Sequence, residues 1–410
     1  MRTLIKNIDH LYTPDLNRGF GQVLDLQKVH LLLEDGYIRQ IIASDQPLPE
    51  ADEIIDASGK CLLPGFIDPH THPVFWKTRE DEFVMRIEGK SYEEIAAAGG
   101  GIRNSVRKFR QASKEEIKEI SRRRIARFLE FGVTTIEAKS GYGLSTQDEI
   151  KSLEIINELN DEQALDLIPT FLGAHEVPDE YQQNRAAYVE LVCKEMIPLV
   201  AERKLARYCD VFCEQGVFTV EESRKILTTA MEYGLKARIH ADELAAFGGA
   251  ELAAEIGAVT ADHLILASDE GIRAMAERGV IPVLLPGTTF FLGKDQYARA
   301  RTMIEAGCQV AISTDFNPGS STTQNLQLIW TIAALKLKML PGELLWASTW
   351  VAARSLGIER QAGSIEPGKQ ADLVILDIPN LNYLPYHYGL NHTYMTIKNG
   401  RVVYKRLNGY

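Results

Sequence analysis

The sequence predicts a (β/α)₈ barrel carrying a small β-sandwich domain built from both chain ends. Three observations predict it. Eight short apolar, β-branched runs alternate with helix-like segments through the middle of the chain. The two ends hold only short strands and tight turns. Five histidines stand at or just beyond the C-terminal ends of the middle runs, which is where barrel active sites form.

The elements follow in chain order. Runs 29–33 and 37–42 flank Glu34-Asp35-Gly36, a hairpin signal. Near the other end, 371–376 reads as a strand, and 394–397 and 402–404 flank Asn399-Gly400, a strong two-residue turn signal. Neither end carries long helical periodicity, and chain ends often lie close together. The expected division is therefore 1–61 and 361–410 for the joint β domain and 62–360 for the barrel. The eight middle runs are 62–68, 133–138, 167–172, 208–212, 236–239, 258–262, 280–285 and 309–313. Segment 113–130 between them reads as a helix, with Ser113 and Glu116 placed for a capping box. A doubly wound open sheet is the alternative arrangement. Gly99-Gly100-Gly101 reads as a flexible loop, because no P-loop lysine follows it.

Composition narrows the function. A chain of 410 residues suits one large barrel plus a smaller unit. Its net charge of −11 argues against a general nucleic-acid binder. An anionic small substrate stays open, since local arginines can dominate a pocket. The five cysteines are odd in number and form no C-x-x-C pair, so they read as reduced core thiols. With no signal-peptide pattern at the start and no run approaching a membrane span, the expectation is a cytoplasmic protein.

The five histidines are His70, His72, His175, His240 and His263. In an extended segment residues i and i+2 point the same way, so His70-Thr71-His72 can offer two imidazoles to one cation. His240 offers a third nitrogen. Glu243, three residues on, can bind an attacking water, or it is a helix N-terminal carboxylate. Asp315 leaves an apolar run into a Gly/Pro loop, where it can bind metal or take a proton. Otherwise it is a helix N-cap. Three imidazoles and a carboxylate suit one zinc or iron(II). Arg79 and Tyr142 can grip an anionic group; the bland readings are a surface salt bridge and a packed loop aromatic. Lys139 reads as a solvated loop charge.

Taken together, these residues resemble the amidohydrolase superfamily, most closely its members that open a cyclic amide. The likeness rests on Pro64-Gly65-Phe66-Ile67-Asp68-Pro69-His70-Thr71-His72, Ala138-Lys139-Ser140-Gly141-Tyr142-Gly143-Leu144, Phe171-Leu172-Gly173-Ala174-His175, Ile239-His240-Ala241-Asp242-Glu243, Leu284-Leu285-Pro286-Gly287-Thr288-Thr289-Phe290, and Thr314-Asp315-Phe316-Asn317-Pro318-Gly319-Ser320. The tail Leu384-Pro385-Tyr386-His387-Tyr388-Gly389 is similar too. The resemblance implies a metal-dependent hydrolase. His70, His72, His240 and Asp315 would hold one divalent zinc or iron. Arg79, Tyr142 and His175 would hold a cyclic amide bearing an acidic arm, and Asn317, Gly319 and Ser320 would contact substrate or product. Glu243 would position water, His263 would polarise or shuttle a proton, and Asp315 would share in catalysis. A homodimer is also implied. Binuclear members of the superfamily carry a carbamylated lysine on the fourth strand; Phe212-Cys213-Glu214 offers none here, which favours one metal. The alternatives are an aminohydrolase that removes an exocyclic amine from a purine-like ring, and a non-catalytic scaffold on the same fold.

Overall fold

The computed structural model describes residues 1–90, 94–95 and 99–406. Eight strands pair in chain order and run parallel: Phe66–Asp68, Val133–Lys139, Asp166–Ala174, Tyr208–Cys213, Lys236–Ala241, Thr260–His263, Ile281–Leu284 and Ala311–Ile312. The eighth returns to the first. Thr71 bridges Phe316 in parallel, and the His72 N–H donates to the Phe316 carbonyl at 2.8 Å. Asp68 fastens the same seam by accepting from the Thr314 N–H at 3.1 Å, the Thr314 hydroxyl at 2.5 Å and the Ser313 hydroxyl. The sheet is thus closed into a barrel, and the open doubly wound alternative falls away.

One expectation changes. Run 62–68 is not a single strand. Cys61–Pro64 pairs antiparallel with Leu373–Leu376 in the terminal sheet, and only Phe66–Asp68 enters the barrel. Gly65 makes the change of sheet: any Cβ there would collide with the Thr134 side chain, and its N–H donates to the Asp372 carbonyl at 2.8 Å. Both strands are fully buried, so the run is apolar on either side of the switch up to Ile67 and alternation gives no mark of it.

The terminal sheet draws eight strands from both ends of the chain. Its hairpins turn where expected. Asp35 and Gly36 have φ of 50° and 89°, and Asn399 and Gly400 have 48° and 72°, the paired left-handed conformations that two-residue hairpin turns require. Ile5, Leu31, Leu62, Leu373 and Ile397 form its core. Lys398 ties the sheet to the barrel: its buried ammonium lies 2.6 Å from both Asp372 and Asp166.

The helix expected after residue 113 is present as Lys114–Ala126, with Ser113 and Glu116 forming the capping box. Beyond it the chain tightens into a 3₁₀ turn over Arg127–Phe131. Gly101 precedes helix Ile102–Gln111 at φ 82°. All five cysteines are buried free thiols. Among the described residues no helix is long and apolar enough to cross a membrane.

Candidate active site

Successive strand residues face opposite sides, so inward-facing ionic residues near the C-terminal ends of the strands lie beneath the mouth. Several such residues interrupt the apolar runs. Glu137, Lys139, Asp210, Arg238 and Asp262 are all wholly buried. Lys139 Nζ lies 2.8 Å from Glu137 and 2.7 Å from Asp210. Arg238 donates to the Pro69 carbonyl at 2.7 Å and the Ser355 carbonyl at 3.1 Å. Lys139 is therefore not the solvated loop charge expected from sequence. Its strand extends to residue 139, and its position is inward.

The histidine cluster sits on this ionic floor. One ring nitrogen from each of His70, His72 and His240 lies within 4.8 Å of the others. His70 Nδ1 is 2.6 Å from Asp262 Oδ2. That bond places the imidazole proton on Nδ1 and leaves Nε2 bare. The bare nitrogen faces His72 Nε2 at 3.3 Å. Asp315 Oδ1 closes in at 3.6 Å from His70 Nε2 and 3.5 Å from His72 Nε2, while its Oδ2 accepts from the Thr288 hydroxyl at 2.6 Å. Asp315 thus faces the imidazoles and caps no helix. Its φ of 52° turns it out of the strand toward them.

Burial sets the protonation of this cluster. It drives His70 and His72 well below the ordinary imidazole range, with Lys139 adding to the effect at His70 and His175 at His72. At His240 burial acts in the same direction, but the Asp210 carboxylate outweighs it and holds the imidazole up. Asp315 is pushed up to about 7, chiefly by burial. Three imidazoles with converging ring nitrogens, His70 and His72 held neutral by burial, beside one carboxylate that resists ionising alone, form a donor set that fits a divalent cation.

Around the cluster lie the remaining expected residues. His263 ends its strand at φ 73°, with its ring centroid 5.2 Å from that of His240 and 5.5 Å from that of His70. Its Nδ1 is 3.6 Å from Glu243 Oε2. Glu243 is not a helix-terminal carboxylate: the next helix starts at Gly249 and is capped by Asp242, which accepts four backbone N–H groups. Burial raises the Glu243 pKa. His175 stacks on His72 with centroids 5.3 Å apart, and its Nδ1 donates to the Gly141 carbonyl at 2.9 Å. The Tyr142 ring stands edge-on to His175 at 5.4 Å.

Arg79 precedes helix Glu80–Ile87 and forks onto Glu82 through Nε at 2.9 Å and Nη2 at 2.6 Å. Its Nη1 packs into the space that a Cβ on Gly319 would fill. Asn317 shapes the opposite loop. Its Oδ1 accepts from the Gly319 and Ser320 N–H groups at 2.8 Å each, and its Nδ2 donates to the Asp315 carbonyl at 2.7 Å and Ser320 Oγ at 2.9 Å.

Several supporting residues escaped sequence reasoning. Asp262, Asp210, Glu214 and Glu149 are buried carboxylates that hold the site in place. Glu214 accepts from the Glu243 and Leu244 N–H groups at 3.0 and 2.8 Å. Glu149 accepts from Gly141, Gly143 and Leu144, fixing the loop that carries Tyr142. The signal was a charged residue inside an apolar strand (Asp210, Asp262), directly after one (Glu214) or at the first turn of an amphipathic helix (Glu149).

Comparison with known proteins agrees with this geometry. The amidohydrolase family matches residues 61–404. An imidazolonepropionase of Geobacillus sp. (strain WCH70) is 52% identical over 99% of this chain and 99% of its own. One from Alkaliphilus metalliredigens (strain QYMF) is 47% identical over 98% of this chain and 97% of its own. Among solved structures, Escherichia coli guanine deaminase superposes with a TM-score of 0.74 at 16% identity, covering 99% of this chain and all of that one. A zinc-bound adenosine deaminase from Xanthomonas campestris gives 0.69 at 18% identity, covering 98% and 92%. At that identity the structures speak for the fold alone. A closed barrel with a histidine-rich centre at its C-terminal mouth defines the class: the chain belongs to the amidohydrolase family. Within that family, the imidazolonepropionases named above are relatives that match it over nearly the whole chain.

Proposed function

We propose that this protein hydrolyses the ring carbon–nitrogen bond of 4-imidazolone-5-propanoate, giving N-formimidoyl-L-glutamate in histidine degradation. It is a hydrolase of carbon–nitrogen bonds in cyclic amides. The observation that carries the substrate assignment is full-length identity near 50% to imidazolonepropionases, joined to an arginine beside the histidine cluster that can read an acidic arm.

His70, His72, His240 and Asp315 would hold one zinc or iron(II) ion. When bound, such an ion supplies Lewis acidity, polarising a carbonyl and bringing the pKa of a water near 7. The chain's own groups do the rest. Glu243, its pKa raised by burial, takes a proton from water and passes it toward the departing ring nitrogen. His263, beside it, donates a hydrogen bond where negative charge grows on the former carbonyl oxygen. Arg79 keeps its Nε–Nη2 edge on Glu82 and presents Nη1 to the propanoate. Tyr142 and His175 flank the ring, and Asn317 shapes the wall formed by Gly319 and Ser320. A homodimer in the cytoplasm is the setting that goes with this reading, and five free buried thiols accord with a reducing compartment.

The direct test is turnover of freshly prepared imidazolonepropionate with detection of N-formimidoyl-glutamate. Release of ammonia from a purine-like ring without that product would favour the aminohydrolase alternative instead.

A further inference from the structure

Lys139 is an ammonium with no solvent exposure at the centre of the barrel. Its Nζ faces three carboxylates: Asp210 at 2.7 Å, Glu137 at 2.8 Å and Asp262 at 3.8 Å. Each leads to a different part of the histidine cluster. Asp210 Oδ2 is 3.1 Å from His240 Nδ1, and its Oδ1 accepts from the His240 N–H at 3.2 Å. Asp262 Oδ2 accepts from His70 Nδ1 at 2.6 Å. Glu137 Oε2 accepts at 3.2 Å from the N–H of Thr71, which lies between His70 and His72. The Lys139 backbone adds a fourth tie, its N–H donating to the Thr71 carbonyl at 2.9 Å.

An ammonium has three donors and no lone pair. With its hydrogens directed at carboxylates, Lys139 is neither a metal ligand nor a base. Arg238 reaches Asp262 at 3.5 Å and Glu137 at 3.9 Å. We propose that Lys139 is the positioning residue of the metal centre, one cation orienting His70 through Asp262, His240 through Asp210, and the segment that carries His70 and His72 through Glu137 and the Thr71 N–H. The proposal rests on the metal-binding reading above. Its physical basis is that carboxylates crowded in a dry interior repel one another, and without the ammonium the imidazole Nδ1 anchors lose their fixed positions.

The test is zinc affinity of the metal-free full-length protein, by competition with a chromogenic chelator. The visible spectrum of the Co²⁺-loaded protein serves as a second readout. Lys139→Met removes the ammonium at similar length. The pair Lys139→Met with Glu137→Gln removes one positive and one negative charge together, against misfolding from unbalanced burial. The expected result is native circular dichroism in the metal-free charge-balanced variant, zinc affinity lowered about 10–100-fold, and an altered cobalt spectrum. Wild-type zinc affinity with an unchanged cobalt spectrum in a folded variant overturns the proposal. Failure of both variants to fold without metal also overturns it, because the lysine would then serve the barrel and not the centre. A wild-type protein that binds no zinc or cobalt overturns the metal reading itself, a separate result.

Discussion

His263 and Glu243 leave different barrel strands yet meet across 3.6 Å between Nδ1 and Oε2. Two features arrange this. His263 takes a left-handed backbone conformation with φ 73°, and the buried Glu214 carboxylate holds the Glu243 N–H at 3.0 Å. The pair stands beside His240 and outside the set of three converging imidazoles.

If Glu243 moves protons, Glu243→Gln keeps the loop geometry and removes the base. Its kcat should fall by about 10²–10⁴, the usual worth of a positioned acid–base group. Metal content should stay at the wild-type level. Steady-state kinetics with metal analysis of the same preparation checks both. A near-normal kcat excludes the role, and lost metal would place Glu243 among the ligands.

Much of this was legible in the sequence. Strand-end histidines announced the centre because a barrel gathers strand ends on one face. Asn399-Gly400 and Asp35-Gly36 announced their turns because few residue pairs accept two positive φ values. The change of sheet at Gly65 was not legible, since strands buried on both faces look alike. Lys139 was misread for a different reason. A charge beside Gly141 in sequence suggests a loop, and only three buried carboxylates, Glu137 on its own strand and Asp210 and Asp262 on others, make its burial tolerable.

His175 makes stability depend on pH. Burial lowers its pKa from 6.5 to about 3. On acidification the unfolded chain takes up that proton first. The histidine's contribution is therefore whole above pH 6.5 and is lost as the pH falls toward 3. Asp315, pushed up from 3.8 to about 7 by burial, works the other way: its contribution is whole below 3.8 and lost as the pH rises to 7. Comparing wild type with His175→Asn isolates the first effect. In urea titrations of metal-free protein, the wild-type slope between pH 6.5 and 3 should be steeper by up to about 1.4 kcal/mol per pH unit. Parallel slopes would mean that His175 is not held neutral.

Lys398 joins the terminal sheet to the barrel through Asp372 and Asp166, each at 2.6 Å. Asp372 is buried and also accepts from the Asn399 N–H at 2.9 Å. Lys398→Met strands the Asp372 charge and should cost about 3–5 kcal/mol. Adding Asp372→Asn should recover part of that loss, because no lone charge then stays buried. Denaturant unfolding of both variants checks the order. A double variant less stable than the single one would show that the pair is not the source of the effect.

Arg79 decides whether the pocket reads an acid. Its guanidinium has two forked edges, and Glu82 occupies one through Nε and Nη2. The remaining Nη1 packs against Gly319, on the loop that follows Asp315. A charge-assisted hydrogen bond from that edge to a propanoate is worth roughly 1.5–3 kcal/mol. Arg79→Met should therefore lower kcat/KM for the acidic substrate by about one to two orders of magnitude, since 1.4 kcal/mol is tenfold. An analogue without the carboxylate never makes the contact and should lose far less. Gly319→Ala supplies an independent arm. Its added methyl displaces the guanidinium without removing the charge, so it should raise KM for the acid while leaving zinc content intact. Equal losses on both compounds in the Arg79→Met enzyme would show that the arginine only braces its loop with Glu82. The acidic substrate would then lose its physical support.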